Sequence, residues 1–270
     1  MDDHREYRSL LSLLDDENEQ SAAQAMAELL RRDETRLEPV LRKLQETADP
    51  GLRKRIHQLQ SAILLRRRRK NFTARLSRQD MQLLDGLFQL HLLWFDNDSP
   101  VTLRKQWKKL QDEARKFAPD SLESLGLFMR KMDFQCVHKD DLEPDHICLG
   151  TVLDKSPGAD FLLCSIAFLI AQDAGLQLKI TQSAETDFIL IDRKQNVLFP
   201  AEDWTYLPSD GKSYSFLFWT APMLLRYAAA LMFAGAVSAD SFRYVYTIGS
   251  CLSGITDSRL PLPYPYGGSR

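Results

Sequence analysis

The chain has 270 residues, and 44% of them are hydrophobic, enough to fill the cores of two compact units at ~100–200 residues per domain and too many for a globally disordered chain. Lys and Arg number 35 against 37 Asp and Glu, a net charge of −2, which argues against nucleic acid or an anionic membrane as the partner of the chain as a whole. The four cysteines, Cys136, Cys148, Cys164 and Cys251, stand far apart without a C-x-x-C pair, and the start "MDDHREYRSLL" is acidic and charged; this excludes a disulfide framework and a secretory signal and predicts a cytoplasmic protein.

Apolar stripes at i, i+3, i+4 and i+7 predict four short helices in the first 70 residues. Leu10, Leu13 and Leu14 mark the first, and Ala22, Met26, Leu29 and Leu30 the second. Leu37, Val40, Leu41 and Leu44 mark the third, with Pro39 tolerable in a first turn, and Leu52, Ile56, Leu59 and Ile63 mark the fourth. Asp15-Asp16, Asp33 and Asp49-Pro50-Gly51 supply the breaks. Short amphipathic helices joined by short turns suggest HEAT-type pairs, and two pairs are too few to stand as a solenoid alone.

The fourth helix runs into "LLRRRRKNFTARLSR". Its basic run, Arg66, Arg67, Arg68, Arg69 and Lys70, is read as a solvated helix extension between two domains; the alternative is a site for an anionic partner. The boundary is placed here, with the helical region over residues 1–75. Three more helices follow, over Gln79 to Phe95, Val101 to Phe117, and a stretch capped by Asp120 or Ser121. From Leu149 the pattern changes to a short helix, "LGTVLDK", a turn at "SPG" and the apolar helix "ADFLLCSIAFLIAQDAG". Apolar residues on every side predict that this is the most buried helix of its domain, with Phe168 in the core. Strand-like segments come next at Leu176 to Gln182, Asp187 to Asp192 and Asn196 to Phe199, the last two joined by the turn Arg193 to Asn196; "AEDWTYLPSDGKSYS" reads as loop. Helices near Phe218 to Ala234 and Ala239 to Leu252 close the fold, before a mobile Pro- and Gly-rich tail over 256–270.

Phe216 to Val237 is about as long as a membrane span. Arg226 at its centre and Pro222 within it favour a buried helix of a soluble protein, since an arginine there costs roughly 2.5–3.5 kcal/mol on insertion scales.

The stretch "HICLGTVLDKSPGADFLLCSIAFLIAQDAGLQLKI" resembles the core of the SirB-type branch of the transglutaminase-like superfamily. In that branch N-S-x-L-x-x-V-L-x-x-x-x-G-x-P-x-S-L-S precedes a central helix ending in L-G-L. Leu149, Val152-Leu153, Gly158 and Gly175-Leu176 keep that frame. "TDFILID" is similar to the family's next strand, "VLFPA" to its F-I-D-P-F and "TAPMLLRY" to its P-x-x-I-L-x-R helix. The resemblance implies an α+β, mostly helical protein: HEAT-like helix pairs packed on a transglutaminase/papain-like core with a small antiparallel sheet. That core would span 76–255, with helices over 76–135, core helix and sheet over 149–200 and closing helices over 217–253. It also implies a Cys/His/Asp triad. Carried over by position, the triad falls on Asp160, Asp187 and Phe199, none of which is the enzyme residue.

The expected function is therefore a non-catalytic module binding a protein or peptide, with no cofactor and no membrane. Asp160 is read as a cap at its helix start, and Asp160 with Asp187 as a less favoured paired-carboxylate site. The rival reading is a cysteine-dependent acyl transferase using Cys164 with His138 or His146. A buried core cysteine is the expectation for Cys164. Cys136, His138, His146 and Cys148 are the one Cys/His collection that suggests a metal, but their spacing is tighter than in common structural zinc sites, so no metal is expected. Nothing in the chain names the partner or sets an oligomeric state.

Overall fold

The computed structural model describes residues 2–253 apart from 33, 48 and 212–214, so the tail over 256–270 lies outside the described residues. The chain forms two compact units, Met1–Lys70 and Asn71–Arg270.

The first unit contains α1 (Asp2–Leu13), α2 (Glu19–Arg31), α3 (Glu34–Thr47) and most of α4 (Pro50–Ser77). Its core is Leu14, Leu29, Leu37, Leu41, Ile56, Leu59 and Ile63, with Leu10, Met26, Leu30, Leu44 and Leu52 packed around it. Leu13 and Val40 of the expected stripes are exposed instead. Asn18 caps α2 by accepting the Gln20 and Ser21 N–H groups. Asp49 accepts the N–H of Gly51 at 2.7 Å and of Leu52 at 3.0 Å, ahead of Pro50 in the first turn of α4. Pro39 is not in a first turn: α3 starts five residues earlier and continues through it. The fully buried Leu37 and Leu41 on either side hold the helix in place despite the lost donor. Arg55 crosses this unit, donating to the carbonyls of Leu14 and Asp16 at 2.7 Å each.

The second unit begins with the last turns of α4, where Phe72 and Leu76 are fully buried. It continues through α5 (Leu83–Trp94), α6 (Pro100–Phe117) and α7 (Leu122–Lys131). Helix α5 starts later than expected because Gln79 adopts a left-handed φ of 57°, which a continuing helix does not allow. Ser121 caps α7, exchanging bonds with Ser124 in both directions. Strand β1 (Gln135–Cys136), helix α8 (Leu149–Lys155) and strand β2 (Pro157–Gly158) lead into α9 (Asp160–Asp173), with β1 and β2 pairing in parallel. An antiparallel sheet of β3 (Leu178–Gln182), β4 (Phe188–Asp192), β5 (Val197–Phe199) and β6 (Thr205–Leu207) follows in sequential order. Its register aligns Ile180 with Leu190, Leu190 with Leu198, and Leu198 with Tyr206. Helices α10 (Ala221–Ser238) and α11 (Phe242–Ser253) complete the described chain.

Strand β6 lies in a stretch expected to be loop. The left-handed residues Asp203 and Trp204 reverse the chain there, and Trp204 is buried with its indole N–H donated to the Phe134 carbonyl at 2.7 Å, so the following three residues pair with β5. Nothing local in the sequence signals that remote anchor. Helix α10 starts at Ala221 rather than Phe218, placing Pro222 in its first turn, where no donor is lost. It is long and apolar enough to cross a membrane, and a third of it is buried, through Leu224, Leu225, Ala228, Ala229, Met232 and Ala236, less than a core helix would show.

Ten of the fourteen residues of α9 are buried, from Asp160 through Ala167 and again at Ile170 and Ala171. The aromatic that anchors it is Phe161, fully buried against Phe188 and Tyr227; Phe168, expected in the core, is only half-buried, as is Leu169 beside it. Phe161→Ala is expected to cost ~3–5 kcal/mol in urea or thermal denaturation, and Phe168→Ala distinctly less.

Candidate functional site

The site is built where α9 meets the sheet. Ser156 turns the chain with a φ of 76°, and Pro157–Gly158 then pairs with Gln135–Cys136. The Val137 N–H donates to Gly158 O at 3.0 Å and the Ala159 N–H to His146 O at 2.9 Å. These bonds deliver the chain to the first turn of α9 in one orientation.

The N-cap of α9 is Ala159, which has no side chain able to accept a bond. Asp160 is thus not the cap expected of it but the first helical residue, and its carboxylate has another task. One oxygen accepts the Phe161 N–H at 2.7 Å and the other accepts the Phe188 N–H at 2.9 Å. The first donor is one of the amides that a helix start leaves without a partner, and the second opens β4. Asp160 therefore bridges helix and sheet from a position only 9% exposed. Burial raises its pKa above the usual carboxylate range, against the opposing pull of the two amides and of the Lys139 ammonium.

Around it lies a charged and aromatic shell. Lys139 pairs with Asp187 at 2.6 Å and donates to Thr186 Oγ1 at 3.1 Å. Its pKa is raised, first by the bond to Asp187. Cys136 is half-buried; burial, reinforced by the charges of Asp160 and Asp187, pushes its thiol up to about 12. Tyr227, from α10, meets Phe161 and Trp219 edge to face and Phe188 at a tilt, at centroid distances of 5.4, 5.5 and 5.1 Å, and its hydroxyl pKa is raised by burial and then by Asp160. The structure thus brings Asp160 and Asp187 into one electrostatic cluster. Phe199 is not part of it: it pairs with Thr205 at the end of β5.

The Cys164 alternative is not assembled. Its sulfur is fully buried, and burial first, then Asp160 and Cys136, holds the thiol well above its ordinary pKa. His138 is exposed, with Nδ1 accepting the Asp140 N–H at 3.3 Å, and His146 Nδ1 accepts the Glu143 N–H at 3.1 Å. Both rings are thus engaged with their own local turns. Among the described residues no three His, Cys, Asp or Glu side chains are grouped to hold a metal ion, and Lys139 supplies a cation beside the two carboxylates. In the basic run, Arg66 donates to the Leu30 carbonyl and Arg67 pairs with Glu38 at 3.1 Å, so the run is engaged within the helical unit; Arg68 and Arg69 are half-buried, and Lys70 is exposed.

A sequence model of the transglutaminase-like superfamily matches residues 102–198. The chain carries a transglutaminase-like domain. The match runs from within α6 into β5, enclosing Asp160, Cys164 and Asp187 and ending one residue before Phe199. No curated protein and no solved structure matches the chain.

Sequence reasoning missed Lys139 and Tyr227, and considered Cys136 only as a metal ligand. Lys139 sits in "HKDD", an ordinary charged turn, and nothing in its surroundings points to a partner 48 residues away at Asp187.

Asp160→Asn replaces one of two accepting oxygens by an amide that cannot accept, so one buried N–H loses its partner; a loss of ~1–3 kcal/mol is expected. Because the folded-state pKa of Asp160 is raised, its ionisation costs stability as pH rises through that value. The deficit of the variant relative to wild type should therefore be largest below about pH 4 and shrink toward neutrality, as measured by chemical denaturation across pH.

Proposed function

We propose that the transglutaminase-like domain is non-catalytic, that it is of the SirB type, and that it acts in the cytoplasm as a binding module for a protein or peptide. The observation that carries this reading is the Asp160 carboxylate at the helix start, bonded to the N–H groups of Phe161 and Phe188. Acyl transfer needs a thiolate, a base to generate it and free donors for the developing oxyanion. At this helix start the side chain is an acid, and it already takes the donor that an oxyanion would need. A second acid, Asp187, lies close enough to act on it electrostatically, and both carboxylates would repel negative charge growing on a substrate carbonyl.

Cys164 does not replace the missing nucleophile. It stands one helical turn further on, ~5–6 Å from the first-turn amides, inside the core. Cys136 is only half-buried, but burial first, and then the charges of Asp160 and Asp187, hold its proton in place. A binding role is supported by the strap that runs along the outer edge of β3. There the Trp219 N–H donates to Ile180 O at 2.8 Å, while Leu217 next to it is 72% exposed and Phe218 is also exposed. Apolar side chains held outward by a backbone bond suit contact with another chain.

Two measurements test this. Native protein should show slow iodoacetamide labelling of Cys136 and Cys164 at neutral pH and no burst of product with activated esters, while the unfolded chain labels at both. Rapid, stoichiometric labelling of Cys164, slowed by mutating His138 or His146, would instead establish the thiol enzyme. A pull-down from the native host should recover a specific protein that is lost with Leu217→Ser and Phe218→Ser together.

A further inference from the structure

The outer edge of β3 is only partly covered. In an antiparallel pair, alternate residues turn both backbone groups toward the neighbouring strand, and those between turn them away. The Trp219 N–H donates to Ile180 O, so Ile180 is one of the outward residues of β3, and the register makes Leu178 another. Asp192, opposite Leu178, agrees: its N–H turns the other way and donates to Asn196 O at 3.1 Å. The strap thus takes the Ile180 carbonyl, and its own Leu217 carbonyl accepts the Thr181 hydroxyl at 2.8 Å. At Leu178 the strap makes no such bond. The outward N–H and C=O of Leu178 bond to no described residue, although Leu178 is only 8% exposed. Backbone groups left unpaired in so buried a residue are uncommon, and at a sheet edge they are a template for one more strand.

Leu178 lines a groove of about 330 Å³ on this edge, walled by Phe216 and Phe218 of the strap. The groove is also cationic. Lys179 is exposed, pairs with no carboxylate among the described residues, and holds its ammonium 4.0 Å from the centre of the Phe218 ring. Arg193 is exposed and donates to the neutral side chain of Gln177. The one acid of the lining, Asp192, spends both oxygens on its own turn, accepting the N–H groups of Lys194 and Asn196 and the Asn196 side-chain amide. Aromatic surface, an unpaired strand edge and two cations without a carboxylate therefore meet in one place.

We propose that this groove receives an extended acidic segment of a partner protein, added as a short strand beside Leu178. The backbone of that segment exchanges hydrogen bonds with Leu178, its carboxylates face Lys179 and Arg193, and its apolar side chains lie on Phe216 and Phe218. Charge selects the occupant: a second copy of this chain would bring the same two cations against each other. The strap ends the pairing at Ile180, so the added strand is short and its side chains carry the selectivity. The proposal rests on the binding-module reading and gives the partner its chemistry.

The test uses the full chain and an array of terminally blocked octapeptides built from Glu and Val in every order, with the best binders then measured in solution by fluorescence anisotropy. Sequences that alternate Glu and Val should bind best, and the same array with Lys in place of Glu should not bind. Lys179→Glu and Arg193→Glu should each weaken the best peptide roughly tenfold. Both residues are exposed, so the variants should keep the wild-type melting temperature. Backbone pairing has its own readout. N-methylation of every second peptide residue removes, in one phase, the N–H groups that face β3 and should abolish binding; in the other phase it removes those that face solvent and should be tolerated. No binding up to about 1 mM peptide would overturn the proposal. So would equal binding of the Glu and Lys arrays, unchanged affinity in both variants, or the same response to both phases of methylation. If the peptides fail while a pull-down still recovers a protein that depends on Leu217 and Phe218, the acidic strand falls and the binding module stands; if both fail, the binding module falls with it.

Discussion

One carboxylate determines how the transglutaminase-like domain is put together. A charged oxygen pair removed from water is unfavourable unless its oxygens find donors. Asp160 meets this by accepting the first-turn amide of its own helix and the first amide of β4. The helix dipole favours negative charge at that end, and Lys139 adds a positive charge at its margin. The geometry is demanding, since helix start and strand start must both reach one side chain. The aromatic group of Phe161, Phe188, Trp219 and Tyr227 closes over the same junction and keeps water from competing for those bonds. The bond that secures the fold therefore also takes the donor that acyl-transfer chemistry would require there.

A second bridge of the same kind fixes α8. His91 in α5 accepts the Gly150 N–H, and only a residue without a side chain lets the helix come so close. Helix α8 then leads through Ser156 and Pro157–Gly158 into α9, so its placement is transmitted to Asp160. Both bridges join a buried polar side chain to a backbone amide rather than to another side chain. The backbone donor cannot move away, so each bridge sets a position as well as contributing stability.

The helical unit at the front uses positive charge inwardly. Arg55 and Arg66 donate to backbone carbonyls, and Arg67 pairs with Glu38. A run of cations that reads as a solvated face, or as a landing site for an anion, contributes part of its charge to holding the helices of its own unit together.

Most elements were legible in the sequence because their signals are local. Amphipathic stripes mark α1 to α4, the Ser121 cap opens α7, and Gly175, with its φ of 78°, ends α9 ahead of the hairpin of β4 and β5. The depth of Cys164 was legible too, from the apolar residues around it. The pattern from Leu149 to Phe199 likewise pointed to the transglutaminase-like domain, which the match over 102–198 bears out. What remained hidden depends on pairs distant in the chain: Trp204 with Phe134, Lys139 with Asp187, His91 with Gly150, and Asp160 with the amide of Phe188. Periodicity reports which face of an element is apolar, and short-range residue choice reports where it starts and stops. Neither reports which buried donor meets which acceptor, because that is decided only when the packed elements bring the two groups within hydrogen-bond reach. So the sequence by itself determined the helices, the order of the first three sheet strands and the apolar central helix. The tertiary structure alone decided that Asp160 is a bridge rather than a cap, that β6 exists, and that His91 meets the amide of Gly150.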